Sequence, residues 1–205
     1  MKHFRVKQRL FALIMSITLI ISVSIPCFAA NSLGVKYKGG SWSTGTYYIS
    51  SNATSQMSNW ATSSVGYWKS ALPQLQFQKS NSGSAASTRL SISYLDRGPT
   101  GWYGVTVYFD YNAATWTQIS EEGYAPDTDY YAASENINKH YFSSTHNRTA
   151  EQHQNVIMHE IGHALGHAHT NTTSSLMYTY IGDETTALRK PTKDDINGAK
   201  KIYGW

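Results

Sequence analysis

Hydrophobic and polar residues follow a helical rhythm in two long stretches of the chain. In residues 55–72 the apolar side chains recur every three or four positions, which predicts a helix with Ser55 as its N-cap and Pro73 beyond its end. A second helix is predicted to begin at Thr149, because Gln152 completes a capping-box pattern three residues further on. The apolar positions of the first helix, which we assign to the core, are Met57, Trp60, Ala61, Val65, Trp68 and Leu72.

Extended stretches surround these helices. Segments that are rich in aromatic and β-branched residues, or that alternate with period two, predict β-strands, because successive side chains of a strand point to opposite faces. A polar and aromatic stretch between two of them, residues 111–135, is interpreted as a long loop. The predicted strands are residues 46–50, 89–95, 103–110 and 137–142, and another extended stretch begins at 75–77.

Residues 1–30 have the pattern of a secretory signal peptide, with a basic front, an apolar run and small residues at the end. Cleavage after Ala29 fits the small-residue rule better than cleavage after Ala30, because the third residue before the cut is then Cys27 rather than Phe28. A retained anchor helix is a weaker alternative, because the apolar run is short for a membrane span. A lipoprotein site at Cys27 is weaker still, because a proline precedes it. We therefore expect a secreted, extracellular protein whose single domain is residues 31–205.

Removal of the leader changes the charge of the protein. The full chain has 17 Lys and Arg and 13 Asp and Glu residues, a net charge of +4. Four of the basic residues and no acidic residue lie in the leader, so residues 31–205 have no net charge. This balance gives no reason to expect a nucleic-acid partner, or a membrane partner after cleavage. Cys27 is the single cysteine and also lies in the leader, so the domain must rely on its core rather than on disulfides.

A cluster of histidines in the predicted second helix carries the candidate chemistry. His159 and His163 are four residues apart, so both imidazoles lie on one helix face and can share a zinc ion. Glu160 lies beside such a metal, where a general base for a zinc-bound water is needed. Gly166 can end the helix and let His169 return as a third ligand. Three protein ligands leave one zinc position to water, as in catalytic sites; a closed zinc site, or surface histidines, is the alternative.

The order of these residues resembles a known signature. The pattern His-Glu-x-x-His-x-x-Gly-x-x-His at 159–169, followed by Ser-Leu-Met-Tyr at 175–178, is similar to that of the metzincin zinc endopeptidases. Thr170 after the third histidine, and a resemblance of residues 192–204 to the C-terminal helix, make the matrixins the most similar metzincins. The resemblance implies an α/β (α+β) fold with a twisted mixed sheet, two long helices and a short C-terminal helix. It also implies a Zn²⁺-dependent metalloendopeptidase, a hydrolase of peptide bonds, with Glu160 as general base.

The resemblance implies further roles around the zinc. Met177 would be the methionine that packs beneath the metal. By order along the chain, residues 104–108 correspond to the matrixin edge strand that pairs with a substrate backbone, although an ordinary buried strand is equally compatible. Thr179 replaces the proline that shapes the S1′ pocket of matrixins, which leaves the substrate preference open. The substrate-binding candidates are Gly104, Val105, Thr106, Thr179 and Tyr180.

The sequence favours neither of two further metal sites. Carboxylates in the predicted loop could bind Ca²⁺, but their spacing matches no calcium loop and a solvated loop is preferred. Three histidines could suggest the second, structural zinc of the family, but its acidic pattern is missing and surface histidines are preferred. His167 matches no ligand position and is expected to point away from the metal. The carboxylates are Glu121, Glu122, Asp127 and Asp129, and the three histidines are His140, His146 and His153.

Three hypotheses about function are compatible with the sequence. The favoured one is a monomeric, secreted endopeptidase that acts on protein or peptide substrates. A narrow processing peptidase for one secreted partner, and a silent peptide-binding module with the same fold, are the alternatives. The intact ligands and Glu160 argue against the silent module, because a binder does not need the base. Latency through a cysteine switch is not expected, because residues 31–205 contain no cysteine.

Overall fold

The computed structural model describes residues 31–39, 42, 45–83, 88–112, 115–143, 146–181 and 187–205. The predicted signal peptide and its cleavage site lie outside the described residues and stay predictions. Among the helices that the structure describes, none is both long enough and apolar enough to cross a membrane.

Within the described residues, six strands form one mixed sheet, as the resemblance implies. Their order across the sheet is β2-β1-β3-β6-β4-β5, and β4 runs antiparallel to both of its neighbours while the other pairs are parallel. The strands are β1 (Thr46–Ile49), β2 (Gln78–Ser80), β3 (Thr88–Leu95), β4 (Gly104–Asn112), β5 (Thr115–Gln118) and β6 (Ala132–Asn138). In β3 buried and partly exposed residues alternate along the whole strand, which confirms its period-two pattern.

In the part of the chain that the structure describes, two long helices and a shorter C-terminal one accompany the sheet. They are α1 (Ser55–Ala71), α2 (Ala150–Ala164) and α3 (Lys193–Tyr203). The predicted N-cap of α1 is wrong by one residue, because the Thr54 hydroxyl, not Ser55, accepts the Met57 backbone N–H. The capping box of α2 is confirmed, with hydrogen bonds in both directions between Thr149 and Gln152.

The predicted loop at 111–135 and the predicted strand at 137–142 are both wrong in part. The loop contains the whole of β5 and the start of β6, which runs from Ala132 to Asn138. Buried polar residues in β6 interrupt the apolar pattern that would mark a buried strand. The strand ends where the Asn138 side chain accepts the backbone N–H of His140, and a 3-10 helix follows at Lys139–Phe142.

The core lies where α1 and α2 cover the sheet. Trp68 of α1 is fully buried and donates its indole N–H to the carbonyl of Met158 in α2, at 2.9 Å. Ile157 and Ile161 of α2 and Ile92 of β3 are buried in the same cluster. Trp60 is only partly buried and packs against the edge of this core. The tightly packed helix α2 is therefore a rigid support for the histidines it carries.

Candidate active site

Three imidazoles converge at one point. His159 and His163 lie one turn apart on α2, and their Nε2 atoms are 3.1 Å apart. The Nε2 atom of His169, which returns after the helix, lies 3.1 Å from each of the other two. The histidines thus form a nearly equilateral triangle of nitrogen atoms. Within the described part of the chain, no other group of three or more metal-ligating side chains comes together.

The hydrogen bonds behind these rings decide what the triangle can hold. His159 Nδ1 lies 2.8 Å from the Leu176 carbonyl, and His163 Nδ1 lies 2.8 Å from the His167 carbonyl. A carbonyl can only accept, so in both rings Nδ1 carries the proton and Nε2 is left with a lone pair. Burial lowers the pKa of His159 to about 4 and also lowers that of the other two, so the rings are neutral.

The Nε2 lone pairs of His159 and His163 face each other at 3.1 Å, an arrangement that a cation between them would stabilise. Nitrogen atoms that carry no proton cannot hydrogen-bond to one another. The centre of the triangle lies about 1.8 Å from each Nε2, close to the zinc–nitrogen distance of about 2.0–2.1 Å. The donor set, its protonation and its spacing therefore fit one zinc ion.

The turn after α2 is held by the start of the described chain. Gly166 has φ +91, the left-handed conformation that lets the helix end there, as predicted. Its carbonyl accepts the backbone N–H of Leu33, and the Asn31 side chain donates to the His169 carbonyl at 2.8 Å. These contacts fix the third histidine. They could not be foreseen, because no local pattern pairs residues 138 positions apart.

Met177 packs directly against the histidine helix. A methyl group at Gly162 would lie 2.2 Å from the Met177 sulfur, so any larger residue beside His163 would force Met177 to move. The turn itself is held by α3, where the buried Asp195 carboxylate accepts the Ser175 hydroxyl at 2.7 Å and the Leu176 N–H at 3.1 Å. Because the Leu176 carbonyl accepts from His159 Nδ1, α3 is connected to His159 through this turn.

Glu160 is buried on the same helix, against β4. The Thr106 hydroxyl donates to Glu160 Oε2 at 2.8 Å. A methyl group at Gly104 would lie 2.8 Å from Glu160 Cγ, so glycine makes room for this side chain. Burial raises the pKa of Glu160 to about 7, and the Thr106 hydrogen bond partly offsets that rise. The carboxyl can therefore both take up and give back a proton near neutral pH.

Two cavities meet at Glu160 and His169. One of about 310 Å³ is bordered by Val156, Thr179 and Tyr180, and the other, of about 500 Å³, by Val105 and Thr106. Gly104, Glu160 and His169 line both. The structure thus brings all five substrate-binding candidates to one cleft that runs past the triangle.

One edge of this cleft is an unpaired stretch of strand. β4 pairs with β6 along Gly104–Phe109, whereas on its other side β5 pairs only with Phe109–Asn112. No described strand pairs with residues 104–107 on that side. Hydrogen bonding alternates along an antiparallel pair, so the backbone groups of Gly104 and Thr106 point away from β6. The segment is thus an unpaired edge, although Val105, Thr106 and Val107 are buried as in an ordinary buried strand. Its pairing with a substrate backbone stays a prediction.

The other predicted metal sites gain no support. The Glu122 carboxylate pairs with Arg97 at 2.8 Å, and Asp129 accepts the Lys36 backbone N–H. Among the described residues, these carboxylates do not converge as a calcium site would require. His153 is not a surface residue as predicted, because its ring is buried between those of Trp60 and Phe142, at 4.6 and 4.2 Å. That contact is an aromatic stack, not a second zinc site.

His167 is no ligand. Its side chain is fully buried, and its ring lies 5.8 Å from that of Trp68, which confirms that it points away from the triangle. Its backbone carbonyl nevertheless orients His163.

Comparison with known proteins agrees with this geometry. The sequence profile of the matrixin peptidases (Peptidase M10) matches residues 41–204. The chain belongs to the matrixin family. Rat matrilysin (Rattus norvegicus) is 50% identical over 50 residues, 24% of this chain and 18% of that protein. Metalloendoproteinase 1 of soybean (Glycine max) is 33% identical over 76 residues, 37% of this chain and 23% of the relative. Human matrilysin is 39% identical over 46 residues, 22% of this chain and 17% of the relative.

The matched stretches span less than a quarter of each of these relatives. The matrixin profile, in contrast, covers nearly the whole described chain, including the sheet and all three helices. The mixed sheet with three helices is consistent with the matrixin catalytic-domain fold, so the resemblance and the fold class predicted from the sequence are confirmed.

Proposed function

We propose that this matrixin is a zinc metalloendopeptidase that cuts extended peptides in the cleft beside β4. The observation that carries the proposal is the position of Glu160. A buried carboxyl with a pKa near 7 lies next in sequence to one corner of a neutral three-histidine triangle, in a cleft with a free strand edge. A module that only held peptides would not need a base at this point.

His159, His163 and His169 would hold the metal. A zinc ion bound there would lower the pKa of its water ligand and polarise the carbonyl of the scissile bond. Glu160 would accept the proton of the attacking water and return it to the departing amine nitrogen. Thr106 supports both the ionised and the protonated form of Glu160, because its hydroxyl can donate to the carboxylate or accept from the acid.

The edge of β4 supports an extended substrate. Backbone groups of Gly104 and Thr106 would pair with the substrate main chain, which is the β-augmentation mode of peptide recognition. Alternate substrate side chains would then point to opposite sides of that backbone. The 310 Å³ cavity offers an apolar subsite, since Val156 and Ile181 line it together with Thr179.

Secretion is part of the proposal and rests on the leader pattern at residues 1–30.

The test is cleavage of a diverse quenched peptide library by the zinc-loaded protein and by Glu160→Gln at the same zinc content. The glutamine keeps the size of the side chain and an acceptor for Thr106, but cannot take the proton. We expect hydrolysis by the wild type and a loss of at least about a hundredfold in the variant. Equal turnover by the variant would contradict the role of Glu160. Failure of both proteins on the library, with zinc bound, would favour a narrow processing peptidase or a peptide-holding module.

A further inference from the structure

A second glutamate lies inside the core and has no part in the function proposed above. Glu135, in the middle of β6, has no exposed surface. Neither of its carboxyl oxygens has a hydrogen-bond partner among the described residues. The ion pairs Lys38–Asp110 and Arg97–Glu122 lie elsewhere. A charged carboxylate in such a place would cost several kcal/mol, so its presence needs a physical reason.

The register of the sheet places Glu135 beside the Glu160 site. Glu135 lies directly opposite Thr106 in the β4–β6 pair. Because Asn138 donates to the Tyr103 carbonyl three positions along, Thr106 and Glu135 fall at a non-hydrogen-bonded position, where Cα atoms are only about 4.5 Å apart. Their side chains point to the same face of the sheet. On that face the Thr106 hydroxyl binds the Glu160 carboxyl.

The surroundings of Glu135 favour its neutral form. The titratable groups that act on it are acidic: Glu160 from α2, and Tyr94 and Tyr108 from the neighbouring strands β3 and β4. Across β3 it faces Ile92, which is apolar and fully buried. Burial, and secondarily the charge of Glu160, raise the pKa of Glu135 well above its ordinary value.

We propose that Glu135 is a neutral carboxylic acid that positions Glu160. Its O–H would donate a hydrogen bond to the pair formed by the Thr106 hydroxyl and the Glu160 carboxyl. A neutral carboxyl is a hydrogen-bond donor, whereas a carboxylate is only an acceptor. The Glu160 carboxylate has several lone-pair positions, and Thr106 fills one of them. A second donor from the core would restrict the Glu160 side chain to one orientation. The catalytic consequence rests on the proposed function; the protonation and the contact do not.

A purely structural role predicts different behaviour. If Glu135 were only a tolerated polar group, replacement by leucine would remove a buried acid from the core and change nothing at Glu160. If it positions Glu160, the same replacement removes a donor that glutamine can still supply through its amide. The pair Glu135→Leu and Glu135→Gln therefore separates the two roles.

The first measurement is infrared difference spectroscopy of the full domain at neutral pH, wild type minus Glu135→Gln. We expect the carbonyl band of a neutral carboxylic acid in the wild type. Thr106→Val and Glu160→Gln should each shift that band, because each changes an acceptor of the Glu135 proton. Ile49→Val, a change of a buried residue on the same face two strands away, is the control and should leave the band in place. Absence of the band, or a band that neither variant shifts, would overturn the proposal.

The second measurement uses a peptide taken from the library cleavage. Glu135→Leu should lower kcat by about tenfold to a hundredfold, the worth of one hydrogen bond to a charged group, with KM and the melting temperature not reduced. Glu135→Gln should retain most of the activity. Wild-type kcat in the leucine variant would reject positioning. If the wild type cleaves no peptide, the proposed function fails, while the infrared bands still decide whether Glu135 is neutral and touches the pair.

Discussion

Glu160 lies on α2, but its chemical properties come mainly from β4. The Thr106 hydroxyl orients the carboxyl, and the missing side chain at Gly104 gives it room. Burial between helix and strand raises the pKa of Glu160 to about 7. A general base with ordinary solvent exposure would have a much lower pKa and a weaker drive to take a proton.

Gly104→Ala tests how closely the Glu160 side chain is fitted. The added methyl would lie 2.8 Å from Cγ and 2.9 Å from Oε1, so the carboxyl must move. A displacement of about 1 Å in an active site can cost about a hundredfold in rate, and we expect kcat/KM to fall by that order. Zinc content, measured by atomic absorption, should stay at one ion per chain. Unchanged turnover would show that Glu160 does not need this space.

The buried position of His153 should make the free energy of unfolding depend on pH. Burial, and secondarily the charge of Arg148, lower its pKa from 6.5 to about 4. Below pH 6.5 the unfolded chain binds a proton that the folded chain does not, so folding stability falls as the pH falls towards about 4. The contribution is at most about 1.4 kcal/mol per pH unit.

His153→Phe should remove this slope and keep the ring between Trp60 and Phe142. The measurement is urea unfolding of both proteins between pH 7 and pH 4. As the pH is lowered, the free energy of unfolding of the phenylalanine variant should rise relative to that of the wild type. A gap that stays constant across this range would mean that His153 titrates normally.

At the scale of elements, the site forms where α2, the turn at Met177 and α3 pack together. The turn contacts α2 at Gly162, and Asp195 holds it from α3. Through Leu176 the turn also orients His159. The three elements therefore fix one another, and the histidine geometry depends on the packing between them.

Two glycine-to-alanine changes separate this packing from helix propensity. Gly66, in α1, has open space where a methyl would go, so Gly66→Ala should stabilise the protein by up to about 1 kcal/mol. Gly162→Ala gains the same helix propensity but forces the Met177 side chain away. That displacement should destabilise the protein by about 1–3 kcal/mol. The measurement is thermal unfolding of both variants. Stabilisation by Gly162→Ala would mean that the turn moves at no cost.

At the scale of the whole molecule, the cleft lies where distant parts of the chain meet. Leu33, β4, α2 and the turn at Thr179 all border it. Zinc bound to the three histidines would connect the helix to the chain that returns after it, so the metal should add to folding stability as well as to chemistry.

Removal of zinc tests this link. Dialysis against a chelator should lower the melting temperature, and one equivalent of Zn²⁺ should restore it, because a ligand that binds only the folded state stabilises that state. His163→Ala should melt at the same temperature with and without zinc. His167→Ala loses a buried imidazole that is not a ligand, so it should be less stable yet keep its response to zinc. An identical response of wild type and His163→Ala would contradict the assigned ligand set.

Much of the site follows from short-range pattern. Four-residue spacing puts two histidines on one helix face, and glycine at 166 can turn the chain because it adopts a positive φ. The capping box and the alternation in β3 are equally local, and each was confirmed. Such features depend on the geometry of a few neighbouring residues, so the amino-acid order is enough to predict them.

The remaining features depend on which strands become neighbours. Glu135 in β6 and Thr106 in β4 share a face only because of their register, and that register places both beside Glu160. The burial of His153, and the bond from Asn31 to His169, likewise join residues far apart in the chain. Burial then changes the pKa of a side chain without any change in its sequence neighbours. The amino-acid order is enough to predict which histidines form the cluster, whereas long-range packing sets their protonation and orientation.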